Sequence, residues 1–389
     1  MPRRMPRNVW ITGWVSFFMD VSSEMVYPLV PLFLSSTLGA SKSVVGIIEG
    51  IAEASASLLK LFSGMLADRF GKNKLLMGIG YATSVVSRPL LALATGWGMV
   101  LTARFTDRVG KGIRTAPRDA IIAVSTPPAQ SGLAFGIHRA MDTAGAVVGP
   151  AVALLILAVW SSDYRLVFWL SIVPGLLAVA FIALFISADG PAPLARPAFS
   201  WSLSGFDRNF RGFLLVIGLF SLGNFSHAFL ILKAEQVGMS PARISGVYLT
   251  FNVVYALLSI PGGMLADRFG KRRVIAGGFC LFAGLSAGFA LAEAPWQIAL
   301  LFGLYGAYMG LTDGVQRAYL ATLVPEERKA TGFGLFHLVV GATILPASVM
   351  AGLLWDHIGP AAPFWFGAAA ASLSAITFIR LSRRRGGLS

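Results

Sequence analysis

Residues 64–72 read Gly-Met-Leu-Ala-Asp-Arg-Phe-Gly-Lys, and residues 263–271 repeat the same nine residues without a change. Both copies lie between long apolar stretches, and both carry charges that a hydrocarbon interior would exclude. Each copy is therefore predicted to lie at a membrane surface, and both are predicted to face the same side. A repeat at an offset of 199 positions in a chain of 389 indicates two copies of one design.

The composition is that of a polytopic membrane protein. Hydrophobic residues make up 56% of the chain and charged residues 13%, and the mean hydropathy is +0.71; soluble domains carry about 25% charged residues. Apolar segments of roughly 20 residues indicate helices, because barrel strands alternate polar and apolar residues over about 10 positions. We predict an all-α fold of twelve transmembrane helices, at 9–35, 44–66, 74–94, 97–121, 132–159, 165–187, 211–233, 243–265, 273–293, 296–322, 331–355 and 361–382.

The distribution of Lys and Arg explains the net charge of +14 without nucleic acid as a partner. Twenty of these residues fall in short loops and tails on the side that holds both repeats, whereas the other side holds Lys42, Arg165, Lys233 and Arg243. Cytoplasmic loops of membrane proteins carry such an excess. Both termini are therefore predicted to be cytoplasmic, with membrane lipid around the spans.

A long polar break divides the spans into six and six. It contains Asp189-Gly190-Pro191, Pro193 and Pro197, a composition typical of a linker. We predict an N-terminal six-helix bundle over 1–187, a cytoplasmic linker over 188–210 and a C-terminal six-helix bundle over 211–389, related by pseudo-two-fold symmetry.

This pattern resembles the Major Facilitator Superfamily of secondary transporters over nearly the full chain. The resemblance rests on six plus six helices and on Gly64, Leu66, Ala67, Asp68, Arg69, Gly71 and Lys72; Asn73 departs from it, where a basic residue is usual. It implies a monomeric, multi-pass transporter of a bacterial inner membrane that binds protons and a small-molecule substrate. No cofactor and no metal are expected.

The repeated phrase is interpreted as a gating motif. Its glycines permit a tight turn between helices, and its Asp and Arg side chains can pair across helix ends. The alternative is a turn whose charges are merely solvated. The residues concerned are Gly64, Asp68, Arg69, Gly71 and Lys72, and in the second copy Gly263, Asp267, Arg268, Gly270 and Lys271.

Asp20 and Glu24 lie four residues apart in the first span and share one helix face. Two carboxylates in a low-dielectric site raise each other's proton affinity, so the pair is a candidate for proton coupling. The alternative is a fixed ion pair with a neighbouring Arg.

The fourth span carries a charged stripe that cannot face lipid: Arg104, Asp107, Arg108, Lys111 and Arg114. By the family resemblance, Arg104 matches an Arg of the fourth helix that is associated with proton coupling, while Asp107 and Arg108 depart from the usual polar residue and glycine. The run also has a glycine-rich stretch with Lys, but the phosphate-loop pattern is absent. We therefore take Arg104, Asp107 and Arg108 as coupling candidates.

In the fifth span, His138 and Asp142 are further proton-coupling candidates, although a hydrogen bond between them as simple packing is an equal alternative. They precede Gly145-x3-Gly149-Pro150, which is similar to a fifth-helix element of proton-exchanging exporters in the family, without its trailing glycine pair. The resemblance favours export.

Further polar residues within spans are cavity or substrate candidates. Glu53 has the alternative of a structural pair with Lys60, and the aromatic residues near the second-half candidates are more simply explained as packing. The candidates are Glu53, Asn224, His227, Asn252, Tyr255, Asp313, Gln316 and Arg317.

Together these observations predict a proton-coupled transporter working by alternating access that exports a small amphipathic or drug-like compound. The alternative is a proton-coupled symporter that imports a nutrient, siderophore, anion or metal. An enzyme is not expected, because the four histidines lack the spacing of a metal site and no nucleophile with a base is evident. A passive channel would not require the duplicated motif.

Overall fold

The computed structural model describes residues 5–70, 72–127, 130–160, 163–186, 206–325 and 328–383. These residues form twelve long helices and no strand. They are α1 Arg7–Val26, α2 Lys42–Phe70, α3 Asn73–Ala92, α4 Trp97–Ser125, α5 Ser131–Val159, α6 Tyr164–Leu170 with Ile172–Phe185, α7 Arg208–Gly223 with Ala228–Gln236, α8 Pro241–Phe269, α9 Lys271–Leu291, α10 Pro295–Leu323, α11 Lys329–His357 and α12 Ala362–Arg383.

The predicted all-α polytopic architecture is confirmed. Within the described residues, ten of the helices are long and apolar enough to cross a membrane. The other two are α2 and α4, which carry the acidic residues Glu49 and Glu53 and the charged stripe of the fourth span. These two therefore depend on packing against other helices to shelter their charges.

Three helices that the sequence predicted as continuous are interrupted, and in α6 the break is the single residue Ser171. After Val26, α1 continues through a 3₁₀ turn at Tyr27–Leu29, a short α-helical turn at Val30–Leu32 and a π-helical turn at Phe33–Thr37. Pro28 and Pro31 lie in this stretch, and neither has a backbone N–H to donate to a regular helix. In α7, the helix stops at Gly223 and resumes at Ala228. The break leaves Asn224 and His227 outside regular helix, in the middle of the predicted span 211–233.

By its contacts the chain divides into two units. The first comprises the described parts of Met1–Gly39, Ser55–Pro197 and Pro241–Gly246, and the second those of Ala40–Ala54, Ala198–Ser240 and Val247–Ser389. The first part of α2 thus groups with the second unit. The predicted bundle boundaries stay a prediction, and residues 188–205 of the predicted linker lie outside the described residues.

The same pattern of helix pairs occurs inside each unit. In the first, α1 packs along α5 and α3 along α4, while α6 packs on α1 and α3. In the second, α7 packs along α11 and α9 along α10, while α12 packs on α7 and α9. Each pairing recurs six helices later, which supports a duplication extending well beyond the repeated phrase.

Basic side chains fasten α6 to α3 at both ends. Arg165 donates to the carbonyl oxygens of Ala92 and Ala94 at the end of α3, at 2.6 and 2.7 Å. Lys74, at the start of α3, donates to the carbonyl of Ile186 at 2.7 Å. Such bonds satisfy carbonyls that a helix end leaves without partners. Between them lies an apolar core that includes Met19, Met77, Tyr81, Val85, Ala178 and Ile182.

Candidate functional site

Asp107, the acidic member of the charged stripe of α4, pairs with Arg88 of α3. A guanidinium nitrogen of Arg88 lies 3.2 Å from Asp107 Oδ1, and the side chains are 2% and 6% exposed. Arg108 reaches the other carboxylate oxygen of Asp107 at 3.6 Å. Arg88 also donates to the hydroxyls of Ser22 and Ser23 on α1, at 3.2 and 2.8 Å. Asp107 is therefore held as a carboxylate between two cations, in the geometry of a fixed ion pair.

The other arginines of α4 also point into the first unit. Arg114 is buried, donates to the hydroxyl of Ser84 at 3.0 Å and lies 4.5 Å over the ring of Tyr81. Arg104 is buried with its guanidinium 5.4 Å over the ring of Tyr27. Stacking on aromatic faces stabilises cations away from water. As predicted, the stripe is sheltered inside protein.

A second polar cluster joins α1 to α5. Asp20 of α1 lies near enough to Asp142 of α5 for the two carboxyl groups to act on each other electrostatically. Asp142 also accepts from Ser16 at 2.7 Å and pairs with Arg139 at 3.3 Å. Two acidic groups this close disfavour each other's ionised form. The cluster therefore places Asp20 beside a second acidic residue that has a hydroxyl and a guanidinium as partners.

The glycines of the fifth-helix motif bring α5 against this part of α1. A Cβ at Gly145 would lie 2.5 Å from the carbonyl oxygen of Phe17 and 3.0 Å from Asp20 Cβ. A Cβ at Gly149 would lie 2.8 Å from Glu24 Cβ. The motif thus sets the close helix contact at which both acidic residues lie. Pro150 follows within α5 and is buried.

Two predicted neighbours of this cluster take different positions. Glu24 and Asp20 share the α1 face as predicted, and α5 brings a further acidic residue, Asp142, near Asp20. His138 is 5% exposed, and its Nε2 has no hydrogen-bond partner among the described residues. Lys111 of α4 lies near enough to act electrostatically on Asp20.

In the second unit, the break in α7 gathers polar residues. Asn224 Oδ1 accepts from the hydroxyl of Tyr305 at 3.3 Å. The ring centroid of His227 lies 5.3 Å from that of Tyr305 and 5.7 Å from that of Phe251. Glu53, from the first part of α2, acts electrostatically on His227. Asn224, His227 and Glu53 are therefore brought together among aromatic walls.

The remaining second-unit candidates form a separate group on α8 and α10. Tyr255 donates to Asp313 at 3.0 Å, and Asp313 forms a short ion pair with Arg317 one turn later. Asn252 is buried on α8, and Gln316 is half-buried on α10.

The two copies of the repeated phrase are described to different extents. In the first copy, Gly71 and the side chains of residues 60–70 lie outside the described part of the chain. The predictions for Gly64, Asp68, Arg69 and the pair partner Lys60 fall on these residues. Lys72 is described and is exposed. In the second, Gly270 has φ of +90°, which forms the turn between α8 and α9.

The charges of the second copy pair locally. Asp267 lies 3.7 Å from Lys271, with side chains 77% and 33% exposed, and Arg268 lies over its neighbour Phe269 at 5.4 Å. Gly263 has open space where a Cβ would be. This geometry is that of the solvated-turn alternative.

Several polar contacts were not anticipated from the sequence. Arg88 was missed, although an Arg inside an apolar span is itself a signal of a buried partner. Asp356 was missed as well: it accepts from the backbone of Lys42 and Ser43 at 3.1 and 2.8 Å and from the Ser43 hydroxyl at 2.6 Å. It caps the start of α2, far away in sequence. Glu49, 1% exposed, accepts from Ser226 at 3.4 Å.

The comparisons with known proteins agree with this architecture. The family pattern of the Major Facilitator Superfamily matches residues 12–224 and 212–388. An uncharacterized MFS-type transporter of Methanocaldococcus jannaschii is 35% identical over 384 residues, which cover 97% of this chain and 95% of that protein. The multidrug resistance protein MdtH of Photorhabdus laumondii is 25% identical over 309 residues, covering 79% of this chain and 73% of the relative.

Among solved structures, a POT family transporter in complex with 5-aminolevulinic acid shares the fold with a TM-score of 0.81. Its sequence is 12% identical, and the match covers 97% of this chain and 96% of that one. The predictions of a transporter, of a multi-pass membrane protein and of a chain that is not an enzyme are confirmed by these relatives. The chain belongs to the Major Facilitator Superfamily.

Proposed function

We propose that this chain is a proton-coupled secondary transporter that exports a small amphipathic organic compound by alternating access. The observation that carries the proposal is the close contact of α1 and α5 at Gly145, where an added Cβ would lie 3.0 Å from Asp20 Cβ and where Asp142 of α5 lies near Asp20. If both carboxyl groups were ionised, their repulsion would favour a rearrangement of α1 against α5. Proton occupancy and helix arrangement are thereby linked.

Export is supported by the relatives named as multidrug resistance proteins, among them MdtH. It is also supported by the close contact between α1 and α5. Gly145 and Gly149 place Asp20 and Glu24 at this contact, which would have to rearrange during transport. The substrate contacts are assigned to the second unit, where Asn224, His227 and Glu53 lie among aromatic rings. Aromatic walls with few polar groups suit an amphipathic compound.

The chain is proposed to act as a monomer in the plasma membrane of its host, with both termini cytoplasmic. The excess of Lys and Arg on the side of the repeats supports this orientation. One chain carries both sets of six helices, and each set repeats the same helix pairing.

Import of an anion by symport is a second candidate. It is favoured by α4, where Arg104, Arg108, Lys111 and Arg114 outnumber Asp107. A buried region with excess positive charge would suit a negatively charged substrate.

Purified protein in proteoliposomes with an imposed pH gradient tests both candidates. Ethidium is the probe for export of an amphipathic cation, and the pH-sensitive dye pyranine in the lumen reports proton movement. The proposal predicts ethidium accumulation in an acidic lumen, accompanied by proton release from the lumen. A protonophore, which dissipates the gradient, should abolish the accumulation. Ethidium flux that ignores the gradient would contradict proton coupling, and proton movement in the same direction as an added anion would favour symport.

A further inference from the structure

An apolar groove of about 410 Å³ opens on the second unit between α8, α9 and α10. Its walls include Leu265 and Phe269 from α8, Val274 and Leu281 from α9 and Leu311 from α10. Leu265, Phe269 and Leu281 are each more than a third exposed. All three helices are long and apolar enough to span a membrane. The groove is therefore open to the surrounding hydrocarbon, and its volume lies in the range of roughly 300–1,000 Å³ that is typical of ligand sites.

Four basic residues lie at one end of this groove, around the turn between α8 and α9. Three of them have partners in the protein. The guanidinium of Arg268 lies over Phe269 at 5.4 Å, Lys271 pairs with Asp267 at 3.7 Å, and Arg272 donates to the hydroxyl of Tyr319 at 3.1 Å. The fourth is Arg273.

Arg273 differs from its three neighbours in its surroundings. It is exposed and lines the groove, where it is the one charged residue of the described lining. Its guanidinium has no hydrogen-bond or ion-pair partner within the described part of the chain. Arg273 thus places a cation with five N–H donors at one end of the apolar groove.

We propose that this groove binds an anionic phospholipid, with an acyl chain against α8, α9 and α10 and the phosphate on Arg273. A guanidinium matches the geometry of a phosphate, and a cluster of basic residues beside a membrane span attracts anionic headgroups. The apolar walls select a molecule that carries a hydrocarbon chain. The site lies in the second unit and is independent of the proposed proton coupling.

The test uses the full-length chain in detergent micelles, titrated with phosphatidylglycerol or with phosphatidylcholine, with bound lipid counted by native mass spectrometry. The wild type is expected to retain phosphatidylglycerol in preference to phosphatidylcholine. Arg273→Gln should weaken binding of phosphatidylglycerol roughly fivefold, the effect of one basic residue near a membrane surface, and should leave phosphatidylcholine unchanged. Arg7→Gln, which removes the same charge from an exposed position on α1, is the control.

A second variant tests the groove without a change in charge. An added Cβ at Gly277 meets no atom within 4 Å, so Gly277→Leu fills the groove without a clash and should reduce binding of both lipids. Gly284→Leu, on the same helix, also enters open space but lies outside the lining, and it should bind both lipids as the wild type does. Wild-type binding of phosphatidylglycerol by both Arg273→Gln and Gly277→Leu would overturn the proposal. An equal loss in Arg7→Gln would assign the attraction to diffuse charge and would overturn it too.

Discussion

Arg88 of α3 and Asp107 of α4 form a buried ion pair, with a nitrogen–oxygen distance of 3.2 Å. The pair links two helices that pack along one another, and Arg108 and two serines of α1 complete its polar surroundings. A buried pair of this kind adds little net stability compared with apolar residues, but each member depends on the other. Substitution of only one member of the pair therefore tests whether the two side chains depend on each other.

Removal of one partner from this pair should be more harmful than removal of both. Arg88→Met removes an ionic partner of the buried Asp107, and we expect it to destabilise the protein by about 3–5 kcal/mol. Arg88→Met combined with Asp107→Leu should be less destabilised than the single variant. Thermal unfolding in detergent, followed by intrinsic fluorescence, measures both. If the effects of the two substitutions simply add, the two side chains are not coupled.

The contact between α1 and α5 should not tolerate a methyl group at Gly149. An added Cβ would lie 2.8 Å from Glu24 Cβ and 2.9 Å from the carbonyl oxygen of Val21, so the helices must separate. We expect Gly149→Ala to cost about 1–3 kcal/mol in unfolding free energy. Gly136→Ala on the same helix meets no atom within 4 Å and should be neutral or stabilising, because Ala favours helix. Equal unfolding midpoints for the two variants would contradict this close contact.

The stability of the helix cap that Asp356 forms at the start of α2 should fall with the number of hydrogen bonds that a substitution removes. Asp356→Ala removes three hydrogen bonds, to the backbone of Lys42 and Ser43 and to the Ser43 hydroxyl, whereas Ser43→Ala removes one. The first variant should lose about 0.5–2 kcal/mol, as for other helix caps, and the second should lose less. Hydrogen exchange at the amides of Lys42 and Ser43 reports the cap directly. Unchanged protection in Asp356→Ala would show that the carboxylate is not the cap.

Most of the architecture could be predicted because it follows from local sequence patterns. Apolar stretches of span length, the repeated phrase and the surplus of basic loops are all read from residues near one another in sequence. The interruption of α7 was less accessible. Span 211–233 is mostly apolar, and its local signal of a break was the short polar stretch that begins at Gly223-Asn224 and ends at His227.

The partners of the charged residues could not be predicted in the same way. Helical spacing relates Asp20 to Glu24 on one face, but Asp142 comes from another helix, and no spacing rule relates positions so far apart. For the same reason Arg88 was not matched with the stripe of α4, and Asp356 was not matched with Ser43. Pairings between helices depend on how the helices pack, and a single sequence contains no local pattern that identifies which helices are in contact.

In the proposed mechanism, proton exchange at Asp20 of α1 and Asp142 of α5 drives transport. The test compares gradient-driven ethidium accumulation with ethidium exchange in the absence of a gradient, in proteoliposomes containing Asp20→Asn, Asp142→Asn or the double variant. Asp163→Asn, at the exposed start of α6, is the control. We predict that the carboxylate variants lose accumulation and keep exchange, while the control keeps both. Wild-type accumulation in both single variants and in the double variant would contradict the account.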